Sequence, residues 1–140
     1  MLEGLDRALG KVFKALDTLG LAGNTLVIFT SDNGSLDGDN RPLRGVKGYL
    51  YEGGIRVPTI VRAPGAKAGV TCDEPVISMD FYPTILELAD LNAKPDQHVD
   101  GISLVPLLTG NQDLNGEAIY WHYPHSHGSN DAPGTADPPG

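Results

Sequence analysis

An unbroken apolar run, Leu26-Val27-Ile28-Phe29, stops at Thr30-Ser31-Asp32-Asn33-Gly34, and a glycine-rich basic loop follows before a second apolar run opens at Ile55. No other stretch restricts the fold as much. Val, Ile, Phe and Thr favour the pleat, and a run without polar alternation suits a strand over residues 26–30 that is covered on both faces. A helical pattern precedes it. Leu2, Leu5, Leu9, Val12, Phe13, Leu16 and Leu19 recur at steps of three and four, which predicts an amphipathic helix over residues 2–19 with Gly20 as its C-terminal cap. Helix, short turn and covered strand is the rhythm of an α/β protein. In open α/β sheets ligands gather at the carboxyl ends of strands, and Asp32 and Asn33 stand at such an end.

Beyond the strand, Gly45, Gly48, Gly53 and Gly54 let the backbone pass close to another group, and Tyr49, Leu50 and Tyr51 anchor the loop. Ile55 to Val61 predicts a second strand, an edge or bulged one because Pro58 removes a ladder donor. A short strand is expected at the end of the 70–77 loop. Ser78-Met79-Asp80 opens a helix with Pro83 near its first turn, and Ile102 to Leu108 forms a short helix ended by Gly110. Ala118 to Tyr123 predicts a final strand. From Pro124 the chain has no apolar periodicity, and a poorly ordered tail is expected.

The 140 residues suffice for one domain. The net charge of −8 argues against general nucleic-acid binding. No apolar run approaches the ~20 residues of a membrane helix, so no membrane partner is expected. The first residues show no signal-peptide pattern, and the single cysteine, Cys72, excludes an internal disulfide and a thiol metal cluster. The basic residues are unevenly placed. Arg41, Arg44, Lys47, Arg56, Arg62 and Lys67 fall in one window whose only acid is Glu52. An acidic chain with one cationic segment points to a small anionic ligand.

Asp32 and Asn33 offer a carboxylate and an amide oxygen, hard donors that suit calcium or magnesium, although an ordinary Asp-Asn-Gly turn explains the same residues. Asp37, Asp39 and Asn40 lack the spacing and the terminal Glu of an EF-hand loop. Lys47, between Val46 and Gly48, is a compact cation on a tight loop, and as a lone residue it is equally a surface lysine. Glu52 and Arg56 are expected to form a loop-bracing ion pair. His122, His125 and His127 make a rival site for a transition metal, weak because it lies in or beside the polar tail.

Taken jointly, TLVIFTSDNG, PLRGVKGYLYEGGIRVPTIVRAPG, ISMDFYPTILELAD, DGISLVPLLTG and EAIYWHYPH resemble, in this order, the sulfatase family of the alkaline-phosphatase-like superfamily. The resemblance implies an α/β fold, part of an alkaline-phosphatase-like domain with a mostly β-sheet core flanked by helices, and incomplete. It implies Asp32 and Asn33 as ligands of Ca2+ (or Mg2+), Lys47 as the catalytic and substrate-binding contact to sulfate, and a sulfated small molecule or glycan as partner. The family's formylglycine nucleophile is made in a Cys/Ser-x-Pro/Ala-x-Arg motif. Cys72 is followed by Asp-Glu-Pro, and no serine version of the motif occurs. The expectation is therefore the second half of a sulfatase catalytic domain over residues 1–115, then the start of a C-terminal subdomain and tail over 116–140. Such a chain would be inactive alone, with the N-terminal half of the same enzyme as its partner. Periplasmic or secreted placement is what the family implies. A phosphonate or phosphodiester hydrolase of the same superfamily, or a non-catalytic anion-binding domain, are the alternatives.

Overall fold

The computed structural model describes residues 2–97, 100–110, 114 and 118–124. The element order is α1 (Leu2–Thr18), β1 (Val27–Phe29), α2 (Glu52–Ile55), β2 (Ile60–Arg62), α3 (Phe81–Leu88) and α4 (Val105–Thr109), with single 3-10 turns at Ala22–Asn24 and Ser78–Asp80. β1 and β2 pair as a two-stranded sheet. The architecture is α/β. The chain divides into two compact units, one of Met1–Val27 with Val61–Glu117 and one of Ile28–Ile60 with Ala118–Gly140.

In the first unit α1 ends as the sequence dictates. Gly20 takes the left-handed conformation (φ +69°), its N–H donates to the Asp17 carbonyl, and the Leu21 N–H reaches back to the Leu16 carbonyl. That is a Schellman closure, and it satisfies two of the helix's last carbonyls. No residue of α1 is buried. Leu2, Leu5, Val12 and Leu19 of its apolar stripe remain open to solvent, whereas Leu9, Phe13 and Leu16 are half-covered. Arg62 closes over the C-terminal half of the helix, with its guanidinium 5.6 Å from the Phe13 ring centre and 3.8 Å from Asp17 Oδ1.

The tightest packing of this unit lies where α3 begins. Asp80 is 3% exposed and Thr84 is 2% exposed. Asp80 Oδ2 accepts from the Ile77 amide at 2.9 Å, and Oδ1 accepts from the Ile102 amide at 3.0 Å. Thr84 Oγ1 donates to the Asp80 carbonyl and accepts from the Leu104 amide at 2.8 Å. Leu104, 4% exposed, seals the junction. Gly101 passes so near Met79 that a Cβ there would stand 2.3 Å from the Met79 carbonyl oxygen. Two side chains thus satisfy three backbone donors of two irregular segments, which spares those N–H groups the cost of going unpaired. α4 carries Pro106 in its first turn and stops at Gly110 with φ +109°.

Several predicted strands change. β1 is shorter than residues 26–30, and its residues are half-buried, because covering both faces takes layers beyond a two-stranded sheet. The segment expected as a strand from Ile55 begins instead within a helical turn. Gly53 and Gly54 are buried there under neighbouring backbone, so packing overrides the poor helix propensity of glycine. Only past Pro58, at Ile60, does β2 start. The strands expected near residue 77 and over 118–123 are irregular. A strand needs a partner to complete its hydrogen bonds, and pairing among the described residues is confined to β1 and β2. The tail from 125, with its predicted disorder, lies outside the described residues.

Candidate metal and anion site

The second unit is built on backbone contacts that only glycine allows. The Gly34 N–H donates to the Gly54 carbonyl at 2.9 Å, and the Gly53 N–H donates to the Arg44 carbonyl at 2.6 Å. A Cβ on Gly34 would stand 1.9 Å from the Gly53 oxygen, one on Gly53 2.1 Å from the Gly45 oxygen, and one on Gly54 2.1 Å from the Tyr49 oxygen. Each of these is far inside van der Waals contact with backbone, which cannot swing aside. The glycines therefore clasp three segments: Asp32–Ser35, Arg44–Tyr49 and Glu52–Ile55. The Lys47 N–H donates to the Ser35 carbonyl at 3.2 Å, adding a direct bond between the first two.

At the end of β1 the Thr30 and Thr59 hydroxyls meet at 3.0 Å, and the chain then turns. Asp32 is exposed and Asn33 is half-buried. Their side chains converge, with Asn33 Nδ2 donating to Asp32 Oδ2 at 2.7 Å. Ser31 Oγ supports the turn by donating to the Asn33 carbonyl at 3.0 Å. As a donor set the pair fits a hard divalent cation once the Asn33 carboxamide rotates to present its oxygen. It supplies two of the ~6–8 oxygens that calcium takes. Among the described residues no group of three His, Cys, Asp or Glu side chains converges, here or elsewhere.

The cations of the basic window have different occupations. Arg41 forks onto Asp39 at 2.7 and 2.8 Å, and this pairing holds the Asp39 carboxyl down at about 2. Arg56 pairs with Glu52 at 3.0 Å, the expected brace. Both partners are more than half exposed, so the pair is worth only ~0.3–0.5 kcal/mol. Arg44 lies over the Tyr51 ring, 4.1 Å from its centre. Lys47 is exposed, and its ammonium has no ion pair or hydrogen bond among the described residues.

The structure brings Asp32, Asn33 and the Lys47 backbone into one unit. Among the described residues it joins no histidine to them. His122 is exposed in an irregular segment, and His125 and His127 lie outside the described residues. Sequence reasoning gave no part in this unit to Asn40. Its side chain bonds two of the clasped segments, and an Asn inside a charged loop was the only signal available in the sequence.

Hard oxygen donors thus stand at a strand end, in a segment bonded to the glycine-clasped loop that carries Lys47, within an α/β protein. The sulfatase family model matches residues 1–91, and the chain belongs to that family. Over 134 residues it is 40% identical to the steryl-sulfatase of Rattus norvegicus, an alignment covering 87% of this chain and 23% of that enzyme. The solved structure of Ps i-CgsB in complex with k-i-k-neocarrahexaose superposes with a TM-score of 0.73 at 38% identity, covering 81% of this chain and 26% of that one. The phosphonate monoester hydrolase SpPMH from Silicibacter pomeroyi matches with a TM-score of 0.64 at 34% identity, over 84% of this chain and 21% of the hydrolase. The chain thus spans about a quarter of the length of the relatives it matches.

Proposed function

We propose that this chain is a portion of a sulfatase that holds the metal-and-sulfate side of the active site, with Lys47 as the cation that meets the sulfate group. The observation that carries this is the Lys47 ammonium. Arg41 and Arg56 are committed to carboxylates and Arg44 lies on Tyr51, whereas Lys47, on the loop clasped to the Asp32–Asn33 turn, has no ion pair among the described residues. In the reaction proposed, the ester S–O bond breaks, the alcohol leaves with a proton, and water supplies the oxygen of the released sulfate. Lys47 offsets negative charge on the sulfate oxygens. At 4 Å this is worth ~1 kcal/mol in water and ~4 kcal/mol at an effective dielectric of about 20, so its value depends on excluding water. Asp32 and Asn33 would hold Ca2+ or Mg2+, which when bound polarises a sulfate oxygen as a Lewis acid.

The sequence contains no Cys/Ser-x-Pro/Ala-x-Arg segment, so the nucleophile belongs to a part of the sulfatase outside these residues. The open apolar stripe of α1 supports that reading, since it offers a surface for the remainder of the domain to cover. Residues 1–115 then belong to the catalytic domain and 116–140 to the start of a C-terminal subdomain. The substrate proposed is a sulfated small molecule or glycan, in line with a relative named steryl-sulfatase and a neighbour holding an oligosaccharide. A periplasmic or secreted setting goes with this reading, and no described helix is long and apolar enough to cross a membrane. The likeness to SpPMH supports a second reading, hydrolysis of a phosphonate or phosphodiester on the same frame.

The test is a calcium titration of the purified chain followed by competition between sulfate and methylphosphonate. Saturable calcium binding lost in Asp32→Ala, with sulfate binding lost in Lys47→Ala, supports the proposal. Preference for methylphosphonate favours the second reading. Turnover of an aryl sulfate by the 140-residue chain would refute the claim that the nucleophile lies elsewhere.

A further inference from the structure

Asn40 is half-buried between the two arms of the candidate site. Its Nδ2 donates to the Ser35 carbonyl at 3.0 Å and to the Gly45 carbonyl at 3.1 Å. Ser35 lies two residues beyond Asn33, and Gly45 lies two residues before Lys47. The Ser35 carbonyl also accepts the Lys47 amide, so this one oxygen serves both the side-chain tie and the backbone tie. Ser35 is held from its other side as well, where its Oγ accepts the Gly38 amide at 2.6 Å. A group set between two carbonyls has to be a double donor. A carboxamide nitrogen has two N–H groups to give, and a carboxylate has none.

We propose that Asn40 is a positioning residue. Its NH2 group ties the Asp32–Asn33 arm to the Lys47 arm and so fixes how the ammonium faces the oxygen pair. The inference rests on the reading above, in which that pair holds a divalent cation and Lys47 an anion. Its consequence concerns coupling. A cation and an anion bound side by side strengthen one another by an amount set by their separation. Asn40 touches neither ligand, so its loss acts on that coupling and leaves the Asp32–Asn33 donors in place. Without the tether the Lys47 arm keeps its amide bond to Ser35, and the ammonium spreads over a wider range of positions.

The experiment uses the whole chain as wild type, Asn40→Ala and Asn40→Asp. Asn40→Asp keeps the shape and turns both donations into repulsions. Backbone amide NMR titrations with calcium, and with sulfate in the absence and presence of calcium, give the affinities and confirm that each variant is folded. In the wild type, calcium is expected to tighten sulfate binding by about fivefold or more, within the usual range of coupled sites. In either variant calcium affinity should stay within about twofold of wild type while that enhancement falls below about twofold. Enhancement kept at the wild-type level in a folded variant overturns the role of Asn40 alone. Parallel loss of calcium and sulfate affinity, without a change in their coupling, marks a merely structural residue and also overturns it. A wild-type chain with no saturable binding of either ion overturns the site reading, and the positioning role with it. If Asn40→Asp does not fold, Asn40→Ala decides by the same criteria.

Discussion

Replacing Asp80 by alanine removes one of the two buried side chains that tie the start of α3 to its neighbouring segments. Its carboxylate is 3% exposed and accepts from two backbone amides, Ile77 at 2.9 Å and Ile102 at 3.0 Å. A hydrogen bond to a charged group contributes about 1.5–3 kcal/mol, and a buried donor left unpaired costs about 1–3 kcal/mol. The two bonds share one carboxylate, and water can reach a vacated site, so they do not add fully. About 3 kcal/mol is expected for the pair. That is a large share of the total for a chain whose buried apolar side chains among the described residues are Leu104 and Pro83. Thr84→Val separates the neighbouring contribution. It keeps the volume but loses the hydroxyl that bridges the Asp80 carbonyl and the Leu104 amide, at a cost of about 1–2 kcal/mol. The assay is urea unfolding followed by far-ultraviolet circular dichroism, with amide exchange at Ile77 and Ile102. With a slope near ~1.5 kcal/mol/M, Asp80→Ala lowers the midpoint by about 2 M. A loss under about 1 kcal/mol, or Ile102 exchange as slow as in the wild type, would show that the carboxylate does not hold the loop.

Two further outcomes follow from the same geometry. Gly53→Ala places a Cβ 2.1 Å from the Gly45 oxygen and 2.7 Å from the Arg44 oxygen, and it should destabilise by about 1–3 kcal/mol or more. Gly4→Ala in α1 meets nothing within 4 Å and should stabilise by about 0.5–1 kcal/mol. Urea midpoints moving in opposite directions check the pair. For Asp39, hydrogen bonding from the Arg41 side chain comes first and from its backbone second, and together they lower the carboxyl from 3.8 to about 2. A depressed carboxyl pKa favours the folded state above the unfolded value, and that preference is lost as pH falls from about 4 through about 2. Carboxyl-carbon NMR should place the Asp39 midpoint near 2, and Arg41→Ala should return it to the ordinary range.

Local chemistry made part of this structure legible in the sequence. The three-and-four spacing of α1, its glycine stop, the Gly110 stop of α4, and the i,i+4 pair of Glu52 and Arg56 all involve residues within a turn or two of each other. Interactions at that range are fixed by periodicity and by φ. The motif order also carried the family, because an ordered set of segments is far more specific than any one of them.

Longer-range relations were decided by the fold. The apolar runs near residue 77 and at 118–123 have strand composition, but a strand is a property of a pair. Gly53 and Gly54 form a helical turn because Arg44, Gly45, Val46 and Tyr49 press their backbones against them. Asp80, which reads as a helix-start residue, became a buried double acceptor only because Ile102, 22 residues away, returns to it. The stretch around Asp32, Asn33 and Lys47 shows both levels. Its residue types and their order were fixed by the sequence alone, since donor chemistry belongs to the side chain. Their adjacency was decided by glycine clasps and by Asn40, contacts between segments whose closeness no linear spacing encodes.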